Sequence, residues 1–129
     1  MARARCRRQR YIPGVMNRLE EAYATVLEAE KSRGEIQWWA FESVTLKLAK
    51  DCRYTPDFFV LLADGTPEFR EVKGGRKKKN GAITYYARDD AKAKFRVAAS
   101  KFWMYQFAVM YRSPKSCGEE WIREDVGDA

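Results

Sequence analysis

Two carboxylates and one amine, Asp57, Glu71 and Lys73, flank a stretch that reads as a β-hairpin. Phe58 to Leu62 is an unbroken apolar run, the pattern of a strand covered on both faces, and Ala63-Asp64-Gly65-Thr66-Pro67 has the composition of a turn. Glu68 to Lys73 then returns as the partner strand. Pro56, with no N–H to give to a ladder, sets the start of the first strand. Glu71 and Lys73 are two residues apart and so project from one face, while the turn brings Asp57 back to the same end of the hairpin. The chain contains no His, which removes Ser-His-Asp and Cys-His nucleophile activation and His-ligated zinc. Converging carboxylates without imidazole form an oxygen cage for Mg²⁺, a hard cation that takes one or two carboxylates and completes its shell with water and substrate phosphate. Phosphodiester hydrolysis suits such a site. The metal stabilises charge on the phosphoryl oxygens and lowers the pKa of a bound water, which a neighbouring Lys can orient.

Other elements must hold that end of the hairpin in place. From about Met16 to Arg33, Leu19, Tyr23, Val26, Leu27 and Glu30 follow a helical period, with Asn17 as N-cap and Gly34 as the stop. Ile36 to Phe41, then Val44, Leu46 and Leu48 alternating with Thr45 and Lys47, predict a strand near Trp39 to Leu48. Gly74-Gly75 and Asn80-Gly81 bracket Arg76, Lys77, Lys78 and Lys79, which reads as a mobile basic loop. Ala91, Phe95, Ala98 and Phe102 mark one face of a second helix from about Ala87 to Lys101, with Asp89 and Asp90 in the first turn where the helix dipole favours acids. Arg88, Lys92 and Arg96 line another face. Trp103 to Tyr111 predicts a fourth strand, ended by Ser113-Pro114, and Trp38, Trp39 and Trp103 are assigned to the core. The order helix, three strands, helix, strand predicts an α/β fold with a mixed sheet covered on both sides.

At 129 residues, with 46% hydrophobic and 14% aromatic residues, the chain is of single-domain size and able to bury a core. Its net charge of +7 is unevenly placed. Arg3, Arg5, Arg7, Arg8 and Arg10 fall in the first ten residues with no acid, so residues 1–12 read as a basic flexible arm, 13–115 as the core domain and 116–129 as an acidic tail. The arm and the Arg76 to Lys79 run together point to a polyanion, because Lys and Arg gain affinity by releasing counterions from phosphates. Cys6, Cys52 and Cys117 are odd in number and widely spaced, which supports neither a zinc site nor a disulfide framework and suits a reducing compartment. No stretch has the length of a membrane span and the first ten residues lack the apolar segment of a signal peptide, so a soluble cytoplasmic protein is expected.

Pro56-Asp57, a hairpin, and Glu71-Val72-Lys73 together resemble the PD-(D/E)XK nuclease superfamily, and the element order is similar to that family's core. Asn17-Arg18-Leu19-Glu20-Glu21 resembles the first-helix segment of small phage-encoded members related to Holliday-junction resolvases. The resemblance implies a restriction-endonuclease-like fold of order α-β-β-β-α-β with helices on both faces. It implies Mg²⁺, replaceable by Mn²⁺, held by Asp57, Glu71, the Val72 carbonyl and a helix carboxylate, Glu20 or else Glu21, with Lys73 positioning the attacking water. It also implies DNA contacts from Lys92, Arg96 and the Arg76 to Lys79 run. The activity expected is endonucleolytic cleavage of branched DNA in phage recombination or packaging, by a homodimer. The alternatives are a sequence-specific or repair nuclease subunit, and a non-catalytic nucleic-acid-binding module of the same fold.

Overall fold

The computed structural model describes residues 11–127. The mixed α/β chain has two helices, α1 (Arg18–Ser32) and α2 (Asp89–Lys101), among the described residues. The strands are β1 (Ile36–Phe41), β2 (Leu46–Ala49), β3 (Cys52–Tyr54), β4 (Phe58–Leu62), β5 (Pro67–Lys77), β6 (Ile83–Tyr85), β7 (Gln106–Arg112) and β8 (Trp121–Val126). The main sheet runs β1-β4-β5-β7-β8, with β6 paired to the far end of β5. Only β5 and β7 pair in parallel, as their connection through α2 requires; the other pairs are antiparallel. No helix among the described residues is long and apolar enough to cross a membrane.

Alternation along the strands builds two cores. On one face Tyr23 and Leu27 of α1 pack on Phe58, Val60 and Val72. On the other, Phe95, Ala98 and Ala99 of α2 pack on Phe69, Phe107 and Val109. α1 starts with a reciprocal cap: the Glu20 N–H donates to Asn17 Oδ1 at 2.8 Å, and the Asn17 N–H donates to Glu20 Oε1 at 2.9 Å. Beneath α1 lies a buried ionic chain. Arg70 donates to Glu68 at 2.7 Å, to Tyr23 Oη at 2.8 Å and to Glu30 at 3.0 Å, and Arg123 of β8 closes on Glu68 from the sheet edge. Burial opposes ionisation of Glu68, but Arg123 and Arg70 outweigh it and hold its pKa below the ordinary carboxylate value.

Four expectations are corrected. The strand expected near Trp39 to Leu48 is broken: Glu42, at φ 46°, turns the chain after β1, and β2 pairs with β3 in a separate two-stranded sheet. The basic run is no loose loop. β5 continues through Arg76 and Lys77 and pairs with β6, with the turn closed by Lys78 N–H to the Ala82 carbonyl at 2.8 Å. Gly75 permits this because a Cβ there would lie 2.3 Å from the Arg112 carbonyl oxygen of β7. The stretch from Glu119, expected as a tail, supplies β8, which pairs along β7. Trp103 precedes β7 and is 77% exposed, and Trp38 is 48% exposed; Trp39 alone of the three packs against a core, with its indole N–H donating to Glu28 at 2.7 Å.

Candidate active site

Asp57, one residue before β4, and Glu71, on β5, are locked together through the backbone of the hairpin. The Asp57 N–H donates to Glu71 Oε1 at 3.0 Å, and the Val72 N–H donates to Asp57 Oδ2 at 2.9 Å. The N–H and C=O of a strand residue point to the same edge, so the Val72 carbonyl is turned toward the Asp57 side as well. Lys73 Nζ stands 3.8 Å from Glu71 Oε2. The three residues singled out from type and spacing are therefore brought to one place by the β4–β5 pairing.

The electrostatics are those of carboxylates crowded in a half-dry site. Burial is the largest influence on Asp57, and the charges of Glu71 and Glu20 add to it; against the Val72 N–H and Lys73 they push its pKa well above the ordinary value. Glu71 is raised by burial too, against the opposing pull of Tyr54, Lys73 and the Asp57 N–H. Glu20 is raised chiefly by burial, in spite of the Asn17 N–H. It faces Asp57 and Lys73 closely enough to interact with both, whereas Glu21 is exposed. Of the two helix carboxylates, Glu20 is thus the one turned to the site, with one oxygen committed to capping α1.

Among the described residues, no three His, Cys, Asp or Glu side chains come together as a group able to hold a metal ion. The three-carboxylate cage is therefore not formed by Glu20, Asp57 and Glu71 as they stand. Asp57, Glu71 and the Val72 carbonyl nevertheless fit Mg²⁺, which needs only one or two carboxylates and takes water for the rest. Two carboxyls raised by burial, Asp57 further so by the Glu71 charge, are also a ligand pair whose ionised forms a cation would stabilise.

Sequence reading missed Tyr54 and Glu42. Tyr54 reaches the site from β3, its ring edge-on to Phe95 of α2 with centroids 5.9 Å apart. Its hydroxyl is buried and faces Glu71 closely enough to act on that carboxyl but without a hydrogen bond of regular geometry, and burial followed by the Glu71 charge drives its pKa far up. The only signal was its position three residues before Asp57, which by itself says nothing about β3 folding over the hairpin. Tyr54→Phe is expected to melt no lower than the parent, because an unpaired buried hydroxyl costs about 1–3 kcal/mol. It should still lose about tenfold in turnover if the hydroxyl bonds a charged group during reaction; thermal melts beside single-turnover rates check both halves. Glu42 sits in a left-handed conformation that costs a non-glycine residue on the order of 1–3 kcal/mol. Its N–H donates to the Asp57 carbonyl at 2.8 Å, and its carboxylate accepts from Tyr11 Oη at 3.2 Å and Gly14 N–H at 2.8 Å. The segment from Tyr11 to Gly14 is thus fastened beside Asp57.

Of the expected DNA-contacting residues, Arg76, Lys77, Lys78 and Lys79 are exposed along the β5–β6 hairpin, and Lys92 and Arg96 are exposed on α2. Arg3, Arg5, Arg7, Arg8 and Arg10 lie outside the described residues. No family model, curated protein or solved structure matches the chain.

Proposed function

We propose that the protein is a divalent-metal-dependent endodeoxyribonuclease of the PD-(D/E)XK kind. One observation carries the reading: two carboxylates with raised pKa values are held face to face by reciprocal backbone hydrogen bonds, with Lys73 beside them and cationic strand and helix surfaces adjacent. The succession α1, β1, β4, β5, α2, β7, with β5 parallel to β7, supports a restriction-endonuclease-like core into which the β2–β3 hairpin is inserted.

In this reading Asp57, Glu71 and the Val72 carbonyl hold Mg²⁺, or Mn²⁺ in its place. The ion would polarise the phosphodiester and acidify a bound water. Lys73 directs the attacking water in line with the leaving oxygen and offsets charge growing on the phosphoryl group. A counter-charge favours the ionised forms of Asp57 and Glu71, so Lys73 and the ion act on the same pair. Glu20 adds negative potential beside Asp57 and ties the site to the start of α1. The exposed cations of the β5–β6 hairpin and of α2 suit phosphate contacts, which position DNA without specifying its sequence; this favours branched DNA, cut by a two-fold dimer in phage recombination or packaging within the host cytoplasm.

The test is digestion of a four-way junction beside a matched linear duplex, with Mg²⁺ and with chelator. Metal-dependent cutting of the junction is expected; binding without cleavage in any metal would return the protein to a non-catalytic DNA-binding module. Deleting residues 1–10 is expected to weaken binding to every DNA shape without moving the cut. The loss of five arginines should flatten the slope of log affinity against log salt by up to about 4.5. Binding titrations across a salt series measure that slope, and a moved cut site would show that the arm reads structure.

A further inference from the structure

A pocket of about 370 Å³ opens on the α2 face of the sheet directly beside Glu71 and Lys73. That volume is at the small end of the range for small-molecule sites, roughly 300–1,000 Å³. Its walls combine three kinds of chemistry. Lys73, Lys92 and Arg96 supply positive charge, and neither Lys92 nor Arg96 has an ion-pair partner among the described residues. Phe95 is buried in the floor, and Tyr85 stands in the wall with its ring held from behind by Tyr111, centroids 5.1 Å apart. Glu124, from the α2-facing side of β8, presents a carboxylate close enough to Tyr85 to influence it.

A bare phosphate does not match these walls, because Glu71 and Glu124 would repel it. A purely apolar ligand would leave the cations without a partner. The matching ligand carries an anion at one end and, at the other, an aromatic ring bearing N–H donors.

We propose that this pocket receives one unpaired nucleotide next to the scissile phosphate. The base lies against Tyr85 and Phe95 and donates an exocyclic amino hydrogen to Glu124, and the phosphate turns to Lys92 and Arg96. The nucleotide must be unpaired because a base whose face lies against Tyr85 and Phe95 inside a pocket has left the helical stack. Placing the scissile phosphate next to the pocket rests on the nuclease reading; the ligand chemistry of the pocket does not. In that setting the pocket explains a preference for junctions and other branched DNA, where unpaired nucleotides lie close to the branch point, with base identity setting only how tightly that one nucleotide is held.

The experiment keeps binding apart from cleavage. In chelator, the backbone amides of the full chain are followed by NMR during titration with dCMP, dTMP and inorganic phosphate. dCMP should shift the amides of residues 91–96 and bind about tenfold more tightly than dTMP, which has no exocyclic amine to offer. Inorganic phosphate should be weaker than either. Glu124→Gln should shrink the difference between dCMP and dTMP, and Ala91→Trp, which fills the mouth, should abolish both shifts. Should Ala91→Trp not fold, the double change Lys92→Gln and Arg96→Gln on the exposed face of α2 gives the same readout. Binding of dCMP no tighter than that of inorganic phosphate, or unchanged in these variants, overturns the pocket. Nucleotide binding with no cleavage of any DNA would leave the pocket standing and remove the nuclease; junction cleavage with no nucleotide binding would do the reverse.

Discussion

Asp57→Ala and Glu71→Ala will each reduce single-turnover cleavage by at least 10²–10³-fold, on the order of the loss when one preorganised group that stabilises transition-state charge is removed. DNA binding in chelator will be equal or tighter, because each change removes a negative charge that faces phosphate. Each also deletes one acceptor of the reciprocal pair, leaving the Val72 N–H or the Asp57 N–H without its bond. Asp57→Asn and Glu71→Gln retain an oxygen there and are the companions that separate lost chemistry from lost structure. Lys73→Ala should lose most activity, since Nζ is 3.8 Å from Glu71 and no other cation is paired with that carboxylate among the described residues. Glu20→Gln should lose less, because an amide oxygen can still accept the Asn17 N–H and cap α1. Undiminished cleavage by either alanine variant would remove the proposed site.

Without divalent metal, Asp57→Asn will melt above the parent at neutral pH, by roughly 3–6 °C for each kcal/mol of relieved repulsion in a domain of this size. Its pH dependence is fixed by the sign of the shift. The folded pKa of Asp57 lies above its ordinary value of 3.8, so between those two values the folded chain holds a proton that the unfolded chain has released. Stability from this group is therefore full in acid and falls as pH rises from about 3.8 through the folded value, then levels off. The advantage of Asn should accordingly vanish near pH 4 and grow toward neutrality. Mg²⁺ binds the native parent and stabilises it by mass action, so millimolar metal should narrow or reverse the gap. Calorimetric melts at several pH values, in chelator and in Mg²⁺ or Mn²⁺, give the answer. Equal melting temperatures throughout would mean that the carboxylates do not repel one another.

How much of this was legible beforehand varied with how local each signal was. The start of α1 is written in Asn17 as its N-cap, and the hairpin is written in its apolar run and turn; both formed as read, while the return bond that Glu20 accepts from the Asn17 N–H was not foreseen. The break after Phe41 was hidden because Glu is not a residue whose type announces a positive φ. That strain is tolerated where Glu42 gains bonds to Tyr11, Gly14 and the Asp57 carbonyl, all remote or unpatterned in sequence. Gly74-Gly75 was misread as a breaker because the same residue serves a loop or a close backbone approach, and only the position of Arg112 on β7 distinguishes them. The acids after Glu119 masked a strand whose Trp121, Ile122 and Val126 pack against the two cores and whose Arg123 meets a buried Glu68 55 positions away. The aim of the Tyr54 hydroxyl depends on β3 folding over the α2 face, and the pocket beside Glu71 on β8 extending the sheet beyond β7, which no spacing within either strand records.

The extension of β5 past Glu71 and Lys73 makes the β5–β6 hairpin a caliper. Lys73 and Lys77 belong to one uninterrupted strand, so the charge at the end of that strand stands about 13 Å from Lys73, four residues at about 3.3 Å each. Pairing with β6 and the Arg112 carbonyl seated against Gly75 keep that span from flexing. A charge on a loose loop would meet whichever phosphate came near. A charge on a stiff jaw meets one at a set offset, and under the proposed nuclease function the length of the jaw, more than its charge, would decide how far from a branch the strand is cut.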